Sequence, residues 1–234
     1  CYERMMNITE DGKYYSNYDS LVHDASRNFY VDDWIWDTYL AHHPLRSILD
    51  PEMEADMIQS YVDMYKQSGW MPTFPILWGD NPCMNGFHIS ITILDAYRKG
   101  IRNFDIEKAY EGMRKNSEEA TLLPWRNGPS CKLDTFYRSK GYFPALHPDE
   151  KETVERVHSF EKRQSVAVTL GHSYDDWAVA EMAKELGKID DHDLFIKRSQ
   201  SYRNLWDRDR EFFLPKDDKG NWISIDPKWD GGMG

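Results

Sequence analysis

An all-α fold, with helices packed antiparallel as in an (α/α) toroid, is what this 234-residue sequence predicts. Three observations carry it. Apolar residues recur at helical spacing through most of the chain. Asp, Pro and Gly stand where helices begin and end. Strand signals are confined to one short stretch near the C-terminus.

The segment from about Ile35 to Leu49 has helical spacing, and Pro44 must kink or divide it. Asp50-Pro51 opens the next helix, because Asp accepts from free N–H groups and Pro suits the first turn. Met53, Met57, Ile58, Tyr61, Val62 and Tyr65 share one face of it, and Gly69 stops it. A third segment runs from about Asn85 to Lys99 before Gly100, with Ile89, Ile93, Leu94 and Tyr97 spaced for burial. Asp105 caps a helix carrying Ile106, Ala109, Tyr110 and Met113. A long helix spans Gln164 to Leu186 and ends at Gly187, and Asp190 begins another with Leu194, Phe195, Tyr202, Leu205 and Trp206. The strand signals are Glu211–Pro215 and Asn221–Ile225, a short hairpin around Lys219-Gly220. No repeat period of the kind an α-solenoid needs is present.

Composition narrows the function. The net charge of −11, from 29 basic and 40 acidic residues, argues against nucleic acid, since phosphate binding needs a basic stripe. No Lys/Arg run exceeds a dipeptide. Nine Trp and fourteen Tyr leave two readings, inter-helix packing or a stacking surface for sugars. Cys1, Cys83 and Cys131 form no CxxC or Cys/His metal pattern. No apolar stretch reaches membrane-spanning length and no signal peptide stands at the start, where Cys in place of Met implies a missing N-terminus.

Four places concentrate polar and aromatic residues. The first is Tyr30-Val-Asp-Asp-Trp-Ile-Trp-Asp-Thr-Tyr39 followed by His42-His43-Pro44. Trp36 can stack on a pyranose while Asp37 accepts hydrogen bonds from two hydroxyls; equally, Asp32 or Asp33 caps a helix whose Trp residues are core. The second is Met84-Asn85-Gly86-Phe87-His88, where His88 binds a hydroxyl, orients a carboxylate or is structural. The third is Gly171-His172-Ser173-Tyr174-Asp175-Asp176-Trp177. A buried Asp175 must be paired, whether it faces a toroid axis or salt-bridges to a neighbouring helix. The fourth is the glycine-rich Trp229–Gly234, which is not a dinucleotide loop because no GxGxxG follows a strand. GxSxG, HExxH, P-loop and EF-hand patterns are absent, and adjacent His42 and His43 have poor spacing for two metal ligands on one helix face.

At these places the chain resembles glycoside hydrolase family 92, exo-acting α-mannosidases. The matching stretches are Ile35-Trp36-Asp37-Thr38-Tyr39 with His43-Pro44-Leu45, Gly69-Trp70-Met71-Pro72, and Met84–His88 leading to Asp95-Ala96-Tyr97-Arg98-Lys99-Gly100. Phe104-Asp105 with Ala109-Tyr110-Glu111 follows, then Tyr174-Asp175-Asp176-Trp177 running to Leu186-Gly187-Lys188, Arg198-Ser199 and Tyr202-Arg203-Asn204. The resemblance implies a β-sandwich N-terminal domain and an (α/α)6 catalytic domain in the whole protein. It implies removal of terminal mannose from glycans with inversion, assisted by a calcium ion whose ligands are not assignable here.

Residues 1–234 then form part of that toroid, truncated at both ends. The catalytic acid and base are expected beyond residue 234, because neither a His-Gly-Asn-Glu-Pro nor a Gly-Asn-Asp-Cys-Gly type motif occurs. Trp36 and Asp37 resemble residues lining the mannose subsite; His88 and Asp175 follow from the same logic. Many relatives carry Arg where this chain has Leu40, which puts the linkage preference in doubt. A secreted or periplasmic location is implied as well. Two other readings stand beside this one. One is a trehalase-like or glucoamylase-like toroid hydrolase, and the other is a non-catalytic helical module that binds glycans or a protein.

Overall fold

The computed structural model describes residues 5–226 and is mainly helical. The expectations placed on Cys1 and on the 229–234 loop fall outside the described residues. The chain forms two compact units, 5–82 with 87–118, and 83–86 with 119–226.

The first unit opens with short strands. β1 (Met6–Asn7), β2 (Lys13–Ser16), β3 (Leu21–Asp24) and β4 (Tyr30–Val31) form two antiparallel pairs, β1 with β4 and β2 with β3. These pairs correct the expectation of at most one hairpin near the C-terminus. Burial alternates along β2, with Tyr14 and Ser16 inward, as a half-buried strand requires. The Tyr14 ring stacks on Phe29 at 3.9 Å, and Ser16 donates to Gln67 at 2.7 Å.

The expected 35–49 helix is divided into α1 (Ile35–Thr38) and α2 (His42–Leu49). The break precedes Pro44, which lies in the first turn of α2, where a missing N–H costs nothing. α3 (Pro51–Ser68) follows the sequence reading closely. Asp50 Oδ1 accepts from the Met53 N–H at 3.1 Å, and Gly69 ends the helix at φ 82°, a left-handed conformation that suits glycine. Met57, Ile58, Tyr61, Val62 and Met64 are completely buried and form the unit's centre, against which α2 and α4 (Ile89–Arg98) pack. Between α3 and α4 lies the pair β5 (Pro75–Ile76) and β6 (Gly79–Asp80). The expected helix over 85–99 begins only at Ile89. α5 (Ile106–Glu119) has the expected cap, with Asp105 Oδ1 accepting from the Lys108 N–H at 3.1 Å.

The second unit holds α6 (Lys132–Lys140), α7 (Ser165–Glu185), α8 (Ile189–Arg198) and a 3-10 turn at Ser201–Leu205. α6 was not anticipated. Its start is fixed by Asp134, which accepts from the Cys131 N–H at 2.5 Å and from the Leu122 N–H at 2.7 Å. α7 buries residues on every side, from Val168 to Met182, so it runs through the interior of its unit and shows no single apolar stripe. Leu122, Leu123, Leu133, Tyr137, Phe143, Val154, Val157 and Val168 form this unit's core. β7 (Trp206–Asp207) pairs with β8 (Phe212–Phe213). The turn expected at Lys219-Gly220 is present, with the Ile223 N–H donating to the Pro215 carbonyl at 3.0 Å. The hairpin expected of 211–215 with 221–225 is reduced to a single Lys216–Trp222 bridge, because Phe212–Phe213 pairs with Trp206–Asp207 instead. No helix among the described residues is long and apolar enough to cross a membrane.

On α2, Ile48 and Leu49 are each 71% exposed, with Leu45 beside them at 46%. An apolar strip of this kind is covered in a stable protein or drives association. The isolated chain is therefore expected to self-associate. Sedimentation velocity over a concentration series checks this, and a monomer with a sharp, cooperative thermal transition would contradict it.

Candidate functional site

The site grows out of α1, which is a single turn. An isolated helix this short has no stability of its own, so tertiary contacts must hold it. Ile35 supplies one, buried to 1% exposure. Trp34, which precedes the turn, lays its ring near Phe74 with centroids 5.2 Å apart. Tyr39, which follows it, sits over the His88 ring at 4.4 Å. The Asp33 N–H donates to the Pro75 carbonyl at 2.9 Å. Held in this way, α1 presents Trp36 (38% exposed) and Asp37 to solvent on adjacent positions.

That placement bears on the packing reading of the Trp/Asp run. Neither Asp32 nor Asp33 caps α1; the cap position is Trp34, with no side-chain cap bond. Trp36 is not a core residue. Asp32 takes a left-handed φ of 63°, a conformation that non-glycine residues adopt rarely and Asp more readily than most. Asp33, next along the chain, is buried to 1% exposure.

Beneath the turn lies a buried charge cluster that the sequence did not reveal. Asp33 Oδ1 accepts from Thr38 Oγ1 at 2.8 Å, and Asp33 Oδ2 accepts from Tyr61 OH at 2.6 Å and from His43 Nε2 at 2.9 Å. The other His43 nitrogen, Nδ1, lies 3.0 and 3.1 Å from the two Glu54 oxygens. Both ring nitrogens thus face carboxylates, an arrangement that is favourable when both carry a proton. Burial alone would lower the His43 pKa, but the Glu54 and Asp33 charges and their hydrogen bonds outweigh it and push it up to about 10. Burial would raise Asp33, yet the His43 charge and the bonds from His43, Tyr61 and Thr38 hold it below the usual carboxylate range. His42, on the same turn of α2, is pushed down by burial and by the His43 charge.

A pH dependence follows. An unfolded histidine titrates near ~6.5, so below that pH both states carry the proton and the stabilisation is complete. Between there and about 10 the folded state keeps a proton that the unfolded state releases, and stability falls as pH rises. The urea midpoint of the whole protein is expected to decline steadily from pH 6.5 to 9. A midpoint that is flat or rises over that range would contradict a charged His43.

The remaining candidates are placed as follows. His88 is buried and immediately precedes α4, joined to the α1 region through Tyr39. Asp175 is fully buried inside α7, in the second unit, with Oδ2 3.7 Å from His172 Nδ1. The inter-helix salt bridge that the sequence allowed for Asp175 is made by its neighbour instead: Asp176 accepts from Arg198 Nε of α8 at 3.2 Å. Tyr174 and Trp177 stack at 5.7 Å on the same helix. Leu40 is largely exposed. Trp36, Asp37 and His88 therefore belong to the first unit and Asp175 to the second.

A cleft of about 420 Å³ elsewhere in the first unit is lined by Arg27, Asp63, Lys66 and Asp105 among others, and includes none of these candidates. Its charges are internally matched, for example Lys66 to Asp105 at 3.1 Å. No group of three or more His, Cys, Asp or Glu among the described residues is placed to hold a metal ion.

Comparison with known proteins identifies the family. The family model described as the glycosyl hydrolase family 92 catalytic domain matches residues 2–233. A family GH92 inverting mannosidase from Bacteroides thetaiotaomicron is 34% identical, with a TM-score of 0.75 over 91% of this chain and 26% of that one. A second family GH92 α-mannosidase of that organism, solved in complex with mannoimidazole, is 29% identical, with a TM-score of 0.77 over 93% of this chain and 26% of its own. An uncharacterized secreted glycosidase of Arthroderma benhamiae is 29% identical over 183 residues, 78% of this chain and 22% of that protein. The chain thus spans about a quarter of the length of these relatives. On the match across nearly all of its residues, the chain belongs to glycosyl hydrolase family 92 and lies within that family's catalytic domain.

Proposed function

We propose that this chain is the sugar-binding part of an inverting exo-α-mannosidase, and that residues 1–234 form a partial (α/α)6 toroid of it. The observation that carries this reading is the exposed Trp36–Asp37 pair, raised on a one-turn helix that buried contacts hold from below. An indole face matches the apolar C–H face of a pyranose, and a carboxylate beside it accepts from two vicinal hydroxyls. The likeness to an inverting mannosidase and to an α-mannosidase solved with mannoimidazole supports mannose as the sugar. Likeness to a secreted glycosidase supports an extracellular or periplasmic setting.

Inversion requires a protonated acid and a carboxylate base about 6.5–9.5 Å apart, with water between the base and the anomeric carbon. The resemblance assigns both to motifs that do not occur in these 234 residues, so the task of this segment is to hold and orient the sugar. His88 supports the turn through Tyr39. Asp175 is proposed as a further contributor to the sugar site. Calcium dependence belongs to the same reading for the whole protein, with no step assigned to the ion here.

The test is hydrolysis of an aryl α-mannoside, an aryl α-glucoside and an α-1,2-mannobiose by the full-length protein, with and without a calcium chelator. Chelator-sensitive release of mannose, with no action on the glucoside, is expected. Glucoside hydrolysis without mannoside hydrolysis would move the assignment to another toroid carbohydrase.

A further inference from the structure

The side chains beneath the Trp36–Asp37 turn do more than fill space. Asp33 receives three hydrogen bonds, from Thr38 of α1, His43 of α2 and Tyr61 of α3. Three donors on three helices fix both oxygens of its carboxylate and leave it no rotational freedom. His43 is fixed in turn, because Glu54 takes its other nitrogen. Glu54 and Tyr61 are seven residues apart, two turns along one face of α3, so both ends of the cluster rest on the 18-residue helix. Direction therefore passes from a long, well-packed helix to a turn with no stability of its own.

An apolar plug would bury this space equally well and would not set an orientation. Replacing buried ion pairs by apolar groups is often neutral in stability, so stability alone does not account for two carboxylates and an imidazole here. What the polar cluster adds is a directional bond to Thr38, the residue next to Asp37. That bond is aimed at the last residue of α1, where the helix lacks a side-chain cap at its start.

We infer that Asp33, oriented by His43 and Tyr61, is a positioning residue that acts through Thr38 to hold Asp37 and Trp36 in register with the sugar. The sugar part of this statement rests on the reading of Trp36 and Asp37 given above. The mechanical part, that Asp33 holds the turn through the Thr38 hydroxyl, does not.

Replacing His43 or Asp33 leaves buried charge uncompensated and endangers folding, so the test is made at Thr38 in the full-length protein. Thr38→Val keeps the side-chain shape and removes the donor, and Thr38→Ser keeps the donor. Two readouts are taken: hydrogen exchange of the backbone amides of residues 34–39, and kcat and KM on an aryl α-mannoside. Thr38→Val is expected to raise exchange in that segment about tenfold. It is also expected to lower kcat/KM roughly 10- to 100-fold, the scale of an ångström-sized misplacement of a binding group. Thr38→Ser should restore both to near the wild-type values.

Unchanged exchange in Thr38→Val overturns the inference whether or not the protein acts on mannosides. So does a Thr38→Val variant that unfolds more easily yet keeps wild-type kcat/KM, which is the signature of a merely structural bond. A wild-type protein that hydrolyses no mannoside, while Thr38→Val still loosens the segment, retires the sugar reading alone and supports the Thr38 hydroxyl, 2.8 Å from Asp33 Oδ1 and 3.2 Å from the Trp34 carbonyl, as the group that holds the turn.

Discussion

Replacing His43 by leucine in the full-length protein is expected to lower the unfolding free energy by about 3–5 kcal/mol, the usual cost of removing one partner from a buried, hydrogen-bonded charge cluster. The reason lies in what remains. Asp33 and Glu54 are each within hydrogen-bond reach of His43 and are shut away from solvent, so without the imidazolium two carboxylates face a common apolar space. Asp33 keeps Tyr61 and Thr38 as donors, whereas the oxygens of Glu54 lose the His43 ring. The double replacement His43→Leu with Glu54→Leu should recover a sizeable part of the loss, since it removes the stranded charge along with its partner. Urea denaturation at pH 7 measures both variants. A loss below ~1 kcal/mol for His43→Leu would show that the cluster is neutral or hydrated, because mutations that disturb no buried charge cost about that much.

The buried cluster also marks the boundary of what the sequence made legible. α3 was readable in detail because its ends use local chemistry: Asp50 accepts from a backbone N–H three residues on, and Gly69 adopts a left-handed φ. The Trp36–Asp37 motif was readable because both residue types are unusual together, whatever their environment. Asp33, His43, Glu54 and Tyr61 come together only through tertiary packing, from positions spread over one loop and two helices. Glu54 in particular stands in the first turn of α3, where an acid ordinarily compensates the helix dipole in solvent. The signal that could have exposed it is its register with Ile58, Tyr61 and Tyr65, which places a carboxylate on the apolar face.

The remaining departures have equally local causes. Pro44 divides the 35–49 region not by kinking a helix but by lying in the first turn of a new one. α6 was missed because its start depends on Asp134 reaching back to Cys131 and Leu122, a cap written three residues after the cap position. The N-terminal pairs β1–β4 and β2–β3 were missed because each strand is only two to four residues long, too short for period-two alternation to register. Asp175 illustrates the opposite limit. Its need for burial chemistry was readable, and its place in α7 was readable, but the local sequence carries no record of which groups would stand around it.

The second large effect concerns Asp37. Its carboxylate is exposed and stands beside an exposed indole, on a turn fixed by Ile35, Phe74, His88 and Asp33. A carboxylate that binds two sugar hydroxyls contributes through charge-assisted hydrogen bonds, each worth about 1.5–3 kcal/mol. Removing it should therefore cost roughly 10²- to 10⁴-fold in kcat/KM on an α-mannoside, since each ~1.4 kcal/mol is a factor of ten. Stability should change little, because substitutions at exposed positions outside packed or capped features are usually within ±0.5 kcal/mol. That separation of activity from stability is what distinguishes a sugar ligand from a structural residue. It is the reverse of the pattern expected at His43.

The most direct measurement of the account is accordingly kcat/KM of full-length Asp37→Ala on an aryl α-mannoside, taken together with its urea midpoint. A loss of two orders of magnitude or more at an unchanged midpoint is the predicted result. Wild-type turnover by the folded variant would contradict it, and would remove Asp37 from the sugar site and with it the function proposed for this segment.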